Sequence, residues 1–568
     1  MPQKTSESSP LPPGSGPDGE SVADRTEGVA LSGLLGANPE AVITAWREFA
    51  AQLGQQPQVA MRQQFAYQKE LAGIWLGDQP DDDPDDPRFA DKAWKEDPMF
   101  RRLRQSWFAW TRSLDAWLDA SGLEGIERQR GAFLLEIAKE VFAPVNSPWT
   151  PETIQRAIDT RGQSLLSGIR NFLDDQKHNH GYPAIADRKA FTVGKDVAPT
   201  AGKVIWREPL FELIQYTPVT AEVHKRPVLY VFSQVNRFYL GDLTLERSLF
   251  RQLLEAGIQV YAISWKNPLP GHAGWSLETY AEGVITAIRV MRRIAGVKRI
   301  DLMGLCAGGL TAAVAAGVLN ARGDNWIKSL SLFVSTLDNQ PGDSDFTLFV
   351  TDETVAAQKA KVRAEGMMRE RDILEMFAML RLDESIFSFV RSNYFRGEAP
   401  LAHPLLFWSM DYTRVPAEMQ CDFIDLAHHN ALAKGQWSAL GERIDLRQIQ
   451  YPVYIMAGTT DHITPWRGCY RSVHLFGGEV QFVLTNQNHT QTISAAADNP
   501  KLKFWLNPKR PDDADDWMKG AEVHAGDWRQ HWIKWLTKRS KRIEAPSKQG
   551  NKRYPVLGDA PGDYVLER

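Results

Sequence analysis

The apolar run RIDLMG (299–304) passes without a spacer into Gly304-Leu305-Cys306-Ala307-Gly308-Gly309, and then into the helix-prone LTAAVAAGVL (310–319). An extended segment that becomes a helix with no intervening loop must turn its backbone sharply. The glycines on both sides of Cys306 give it room to do so. The pattern G-x-C-x-G is a nucleophile elbow with sulfur in place of oxygen. It places Cys306 at a helix N-terminus, whose partial positive charge and free N–H groups favour a thiolate. The Ala307 N–H is then one oxyanion donor. A cysteine between glycines is as often a small packing residue; the strand before and the helix after favour the nucleophile.

An elbow of this kind sits in a parallel sheet, and the surrounding sequence predicts one. After about Phe191, β-rich runs alternate with helical patterns: VLYVFSQ (228–234), QVYAISW (259–265), RIDLMG, SLSLFVS (329–335), YPVYIMAG (451–458) and QFVLTN (481–486). Candidate helices at Leu277–Ile294 and Gly309–Asn320 lie between them. Apolar strands separated by helices indicate a parallel sheet covered on both faces. The expectation is an α/β class, α/β-hydrolase fold over residues 191–568, interrupted at about 345–450 by a mostly helical, Met- and Phe-rich cap insertion. Residues 29–190 read as a helical N-terminal domain. There Leu103, Trp107, Trp110, Leu114 and Trp117 recur at four- and three-residue steps, the mark of a helix face packed on a core. Residues 1–28, rich in Ser, Pro, Gly and Asp, are expected to be a disordered tail. The run Asp81-Asp82-Asp83-Pro84-Asp85-Asp86-Pro87 is expected to be a solvated loop, and a tail rich in Trp, Lys and Arg follows His489.

This fold orders its triad nucleophile, acid, histidine, so the partners of Cys306 are sought downstream. Asp461 follows the YPVYIMAG run and His489 follows QFVLTN, each just past a predicted strand end, where side chains reach the crevice at the carboxyl ends of the strands. His462 is an alternative base beside Asp461, but nothing later supplies it with an equivalent acid. His428-His429 and His178-x-His180 have no cysteines or carboxylates at a convincing metal spacing and read as surface or packing residues. Cys421 and Cys469 lack an elbow and read as buried small residues. In this fold the loop after the first strong strand supplies the second oxyanion N–H, here near Val235.

A thiolate exchanges readily with thioesters, and its acyl-enzyme keeps a high-energy thioester that can pass to another acceptor. The cysteine therefore favours acyl transfer from a thioester donor such as an acyl-CoA. Lys+Arg 66 against Asp+Glu 70 gives a net charge of −4, which argues against a nucleic-acid partner. No run approaches the ~18 apolar residues of a transmembrane segment. The N-terminal residues lack the apolar stretch of a signal peptide, and three cysteines suit a reducing, cytoplasmic setting.

Stretches along most of the chain resemble the poly(3-hydroxyalkanoate) synthases, bacterial storage-polyester polymerases. They include RFADKAWKEDPMF (88–100), TPVTAEVHKRPVLYV (217–231), GLCAGG (304–309), FWSMDYTRVP (407–416), AGTTDHITPW (457–466) and HLFGGEVQFVL (474–484). The ending GNKRYPVLGDAPGDYVLER (550–568) is similar to that of the single-subunit medium-chain-length (class II) enzymes of pseudomonads. The resemblance implies Cys306 as nucleophile, His489 as general base and Asp461 as a carboxylate that also helps activate the substrate 3-hydroxyl. It implies an (R)-3-hydroxyacyl-CoA substrate, release of CoA, and a growing polyester chain on a cytoplasmic granule surface. It further implies a homodimer with no metal or redox cofactor, the CoA thioester being the substrate. A thioesterase or depolymerase on the same scaffold, and a weakly active granule-binding relative, are the competing readings. Where the family usually has Gly before the histidine this chain has Asn488; a turn needing φ > 0 there suits Asn less well than Gly.

Overall fold

The computed structural model describes residues 57–77 and 84–568 except 539, together with positions 47 and 51. The expected tail at 1–28 and Asp81–Asp83 lie outside these residues. The described chain begins with α1 (Pro57–Leu76), α2 (Pro98–Ala120), α3 (Gly125–Val141), α4 (Pro151–Asp159) and α5 (Gln163–His178). The Asp97 carboxylate accepts the N–H groups of Met99 and Phe100 and Pro98 occupies the first turn, which fixes where α2 starts. The aromatic stripe of α2 packs as read: Trp107 and Phe108 bury with Phe89 and Trp94 in a small core of their own. Asp86, expected in a solvated loop, instead caps a short 3-10 turn and pairs with Arg88 at 2.7 Å.

The main sheet contains β1 (Gly202–Arg207), β2 (Phe211–Tyr216), β3 (Val228–Val231), β4 (Val260–Trp265), β5 (Ile300–Leu305) and β6 (Ile327–Phe333). It continues with β7 (Val453–Gly458), β8 (Val480–Thr485), β9 (Lys503–Leu506), β10 (Glu522–Ala525) and β11 (Gly558–Asp559). Their spatial order is β10-β9-β8-β7-β6-β5-β3-β4-β2-β1-β11. The stretch from β8 to β4 is parallel, and the outer strands pair antiparallel. Leu229 and Val231 bury on one face while Val228 and Tyr230 bury on the other. Apolar residues at every position therefore mark strands covered on both sides. The first face carries α6 (Leu277–Ala295) and α7 (Ala307–Ala321), the helix that follows the elbow.

Between β6 and β7 the chain leaves the sheet to build the cap. This contains α8 (Asp352–Glu365), α9 (Glu370–Met379), two π-helical turns at Asp383–Phe387 and Val390–Phe395, and α10 (Ala417–His429). The N-terminal helices rest on this cap. Leu134 of α3 clusters with Leu348, Phe349 and Leu382, and the Asn171 amide donates to the Asn393 and Glu398 carbonyls, both at 2.9 Å. A Cβ on Gly168 would lie 1.8 Å from the Tyr394 carbonyl oxygen, so α5 meets the cap main chain to main chain.

The segment after His489, placed within the domain but given no elements by its sequence, supplies β9, β10 and α11 (Trp528–Thr537). Trp528 and Trp532 each meet the Phe333 ring edge-on at 4.9 Å. The Trp532 indole N–H also donates to Ser331 Oγ at 2.9 Å. Among the described residues no helix is long and apolar enough to cross a membrane. Replacing the fully buried Trp532 by Ala opens a cavity and leaves Ser331 without this donor. Denaturation should show a loss of about 3–5 kcal/mol, whereas a segment merely lying on the surface would lose almost nothing.

Candidate active site

The elbow forms where the sequence places it. Cys306 adopts φ 55°, ψ −129° and is followed at once by α7. A non-glycine residue at positive φ costs of order 1–3 kcal/mol, so the surroundings must hold it. The Cys306 N–H donates to the Phe333 carbonyl at 3.0 Å and the Cys306 carbonyl accepts from Gly309 at 2.8 Å. Ser335 Oγ adds a bond to the same carbonyl at 2.9 Å. Each glycine of the motif permits a contact that a Cβ would block. At Gly304 it would lie 2.6 Å from Gly309 Cα, at Gly308 2.4 Å from the Val231 carbonyl oxygen, and at Gly309 2.0 Å from Ser335 Oγ.

Cys306 is half-buried, whereas Cys421 and Cys469 are buried, and all three thiols are free. Burial raises the Cys421 thiol and pushes the Cys469 thiol up to about 12, so neither is disposed to ionise. Asp461 and His489 meet across the ends of β7 and β8: His489 Nδ1 donates to Asp461 Oδ2 at 2.8 Å. Oδ1 of Asp461 accepts the N–H groups of Ile463 and Thr464, each at 2.9 Å. With Nδ1 engaged, Nε2 is the His489 nitrogen left to act on Cys306, whose charge helps to raise the imidazole. Gly458 makes this junction possible, because a Cβ there would lie 2.2 Å from the Gln487 carbonyl oxygen.

Burial pushes Asp461 upward, but the His489 charge and the hydrogen bonds from His489 and Thr464 outweigh it and hold the carboxyl below its ordinary 3.8. Burial likewise pushes His489 down, but the charges of Asp461 and Cys306 and hydrogen bonds to both hold the imidazole well above 6.5. The stabilisation linked to Asp461 is therefore present above pH 3.8 and lost as pH falls through the depressed value. That linked to His489 is full below pH 6.5 and fades as pH rises through the elevated one. His462 behaves oppositely: burial, then the Arg381 charge, lower it to about 4, so it is neutral at pH 7. The structure thus brings Asp461 to His489 and not to His462.

Thr464 was not singled out from sequence. Its hydroxyl lies 2.8 Å from Asp461 Oδ2, 3.1 Å from the Val334 carbonyl and 3.2 Å from His489 Nδ1. The Asp-x-x-Thr spacing was its only signal. Val334 is itself held at φ 43°, an uncommon state for a β-branched residue. Asn488 does not occupy the left-handed region; its side chain accepts the Gln491 N–H at 2.9 Å and caps the next turn. The position therefore does not need the freedom of glycine.

Of the two expected oxyanion donors, Ala307 sits at the first position of α7, where the N–H has no intrahelical acceptor. The Val235 N–H donates to Ser233 Oγ across a long 3.3 Å. His178 pairs with Asp174 and His428 with Asp352. Among the described residues no group of three or more His, Cys, Asp or Glu is placed to hold a metal.

Residues 85–253 match a family described as poly-beta-hydroxybutyrate polymerase (PhaC) N-terminus, and residues 239–492 match the alpha/beta hydrolase fold. Poly(3-hydroxyalkanoate) polymerase 1 of Ectopseudomonas oleovorans is 36% identical over 543 residues, 95% of this chain and 97% of that protein. Polymerase 2 of the same organism is 37% identical over 539 residues, 94% of this chain and 96% of its own. The poly(3-hydroxyalkanoate) polymerase subunit PhaC of Cupriavidus necator is 32% identical over 518 residues, 88% of this chain and 87% of that subunit.

The charge coupling can be checked without turnover. Asp461→Asn removes the carboxylate charge that most raises His489, so its titration followed by NMR should move down from the parent value. An unchanged midpoint would show that Asp461 does not set the charge of His489.

Proposed function

Because this chain belongs to the poly(3-hydroxyalkanoate) polymerase family, we propose that it is an acyltransferase that polymerises (R)-3-hydroxyacyl-CoA into polyhydroxyalkanoate through a Cys306 thioester. The observation that carries this reading is the half-buried thiol at a helix N-terminus, facing an imidazole whose other nitrogen is tied to a buried carboxylate. His489 Nε2 takes the thiol proton, and Asp461 stabilises the resulting imidazolium. The thiolate attacks the thioester carbonyl, whose π electrons move to oxygen. The Ala307 and Val235 N–H groups receive that charge. Collapse breaks the bond to CoA, and the departing sulfur takes the proton from His489. His489 then accepts the proton of an incoming 3-hydroxyl, with Asp461 assisting. The oxygen attacks the acyl-enzyme, a new ester forms, and Cys306 becomes the leaving group and recovers a proton. Asp461 has two buried oxygens on four donors, which keeps it ionised throughout. No step calls on a metal or redox cofactor.

The same reading places the protein on the surface of its polyester granule as a homodimer. Supporting the first part, α4 and α5 leave Ile158, Leu166, Ile169 and Leu173 between 49% and 65% exposed. That concentration of apolar side chains suits contact with an aliphatic surface.

The purified protein with (R)-3-hydroxybutyryl-CoA and (R)-3-hydroxydecanoyl-CoA should release CoA and form polymer, the ratio giving its chain-length preference. Free acid as the product would make it a thioesterase, and no release would leave a granule-binding relative. Cys306→Ala should abolish release and His489→Gln should slow it by about 10²-fold or more. Asp461→Asn should still acylate but elongate slowly, so equal loss of both steps would limit Asp461 to orienting the base. Replacing Leu166, Ile169 and Leu173 by Asp should cut co-sedimentation with granules by about tenfold or more, with CoA release from soluble substrate unchanged. Undiminished co-sedimentation would move the contact elsewhere.

A further inference from the structure

The loop after β3 is tied along its length to residues 408–414 at the base of the cap. The Thr413 N–H donates to the Val235 carbonyl at 3.0 Å, and its hydroxyl donates to the Gln234 carbonyl at 2.6 Å. Asn236 and Tyr412 form an antiparallel bridge, and the Trp408 indole N–H reaches the Arg237 carbonyl at 2.8 Å. Next along, the Arg237 guanidinium is 2% exposed. It donates to the Tyr564 carbonyl at 3.0 Å, to the Glu567 carbonyl and to Asp411 Oδ1 at 3.4 Å. Asp411 also accepts the Tyr239 hydroxyl at 2.8 Å and a bond from Arg568. A buried guanidinium is costly unless its donors are met. Here the acceptors come from two remote segments, so loop, cap base and residues 564–568 are fixed together.

The consequence falls on one peptide plane. The Gln234 carbonyl and the Val235 N–H belong to the same planar, trans unit and point in opposite directions. Holding the carbonyl therefore aims the N–H. The Val235 N–H has only the long bond to Ser233 Oγ to give up. The loop also lies directly on the start of α7, since Gly308 admits the Val231 and Phe232 carbonyls where a Cβ would meet them at 2.4–2.5 Å.

We infer that Thr413 is a positioning residue, backed by the Arg237–Asp411 pair, that fixes the 234–235 peptide and so aims the Val235 N–H as the second oxyanion donor. This rests on the acyl-transfer reading above. Attack on a thioester carbonyl generates an oxyanion, whereas alkylation of the same thiolate by iodoacetamide displaces iodide at a saturated carbon and generates none. In Thr413→Val the first-turnover release of CoA should therefore slow on the order of tenfold or more, with alkylation of Cys306 within about twofold of the parent, and Thr413→Ser should restore the rate. Arg237→Met should show the same split, and Arg237→Lys, which keeps a cation for Asp411, should recover part of it. Unchanged acylation in Thr413→Val overturns the inference, as does a parallel fall in both rates, which would signify general damage to the site. If alkylating the parent leaves CoA release untouched, Cys306 is not the nucleophile and both readings fall; full inactivation beside a normal Thr413→Val removes only this one.

Discussion

The candidate active site depends on the absence of side chains at Gly304, Gly308 and Gly309. Through these positions the ends of β3 and β5 come into main-chain contact with the first turn of α7, and the side chain of Ser335, just past β6, packs against it. That contact holds Cys306 in a backbone state its own side chain disfavours. The neighbours that enforce it, the Phe333 carbonyl and Ser335 Oγ, belong to a different strand end from the one that carries the cysteine. Exposure of the thiol is thus a property of the assembled sheet, and the chain near Cys306 would not keep this geometry alone.

Charge at the site is organised on the same plan. Burying Asp461 would by itself favour the neutral acid, but four donors converge on its two oxygens and fix it as a carboxylate. That negative charge, in turn, favours the protonated form of the buried imidazole. Thr464 links the pair to the Val334 carbonyl, so the acid, the base and the strand end behind the elbow form one hydrogen-bonded unit. A network this fully satisfied is rigid, and rigidity is what the proposed proton shuttle between sulfur and oxygen needs.

Much of this arrangement was legible in the sequence because it depends on local signals. The elbow, the two-sided apolar strands and the strand-end positions of Asp461 and His489 each follow from spacing within a few residues. The parts that were not legible depend on distant partners. Trp528 and Trp532 look like residues of a basic tail until Phe333 is placed beneath them. Strands β9 and β10 are short, partly exposed and antiparallel, so they lack the apolar run that betrays the central ones. Asn488 fits because its side chain caps a turn, a use that the identity of the residue allows but does not announce. Thr413 and Arg237 have no motif at all, since their acceptors lie far along the chain.

The seat of the N-terminal helices has a mechanical corollary. Helix α5 touches the cap so closely at Gly168 that no side chain intervenes, and Asn171 grips two of the cap's carbonyls. These helices are cargo of the cap and not of the sheet. Helix α5 and the cap can part only by breaking this seam, so a displacement of one passes to the other before any side chain can yield. The exposed apolar flank of α5 and the cap main chain behind it are therefore two sides of one mechanical piece.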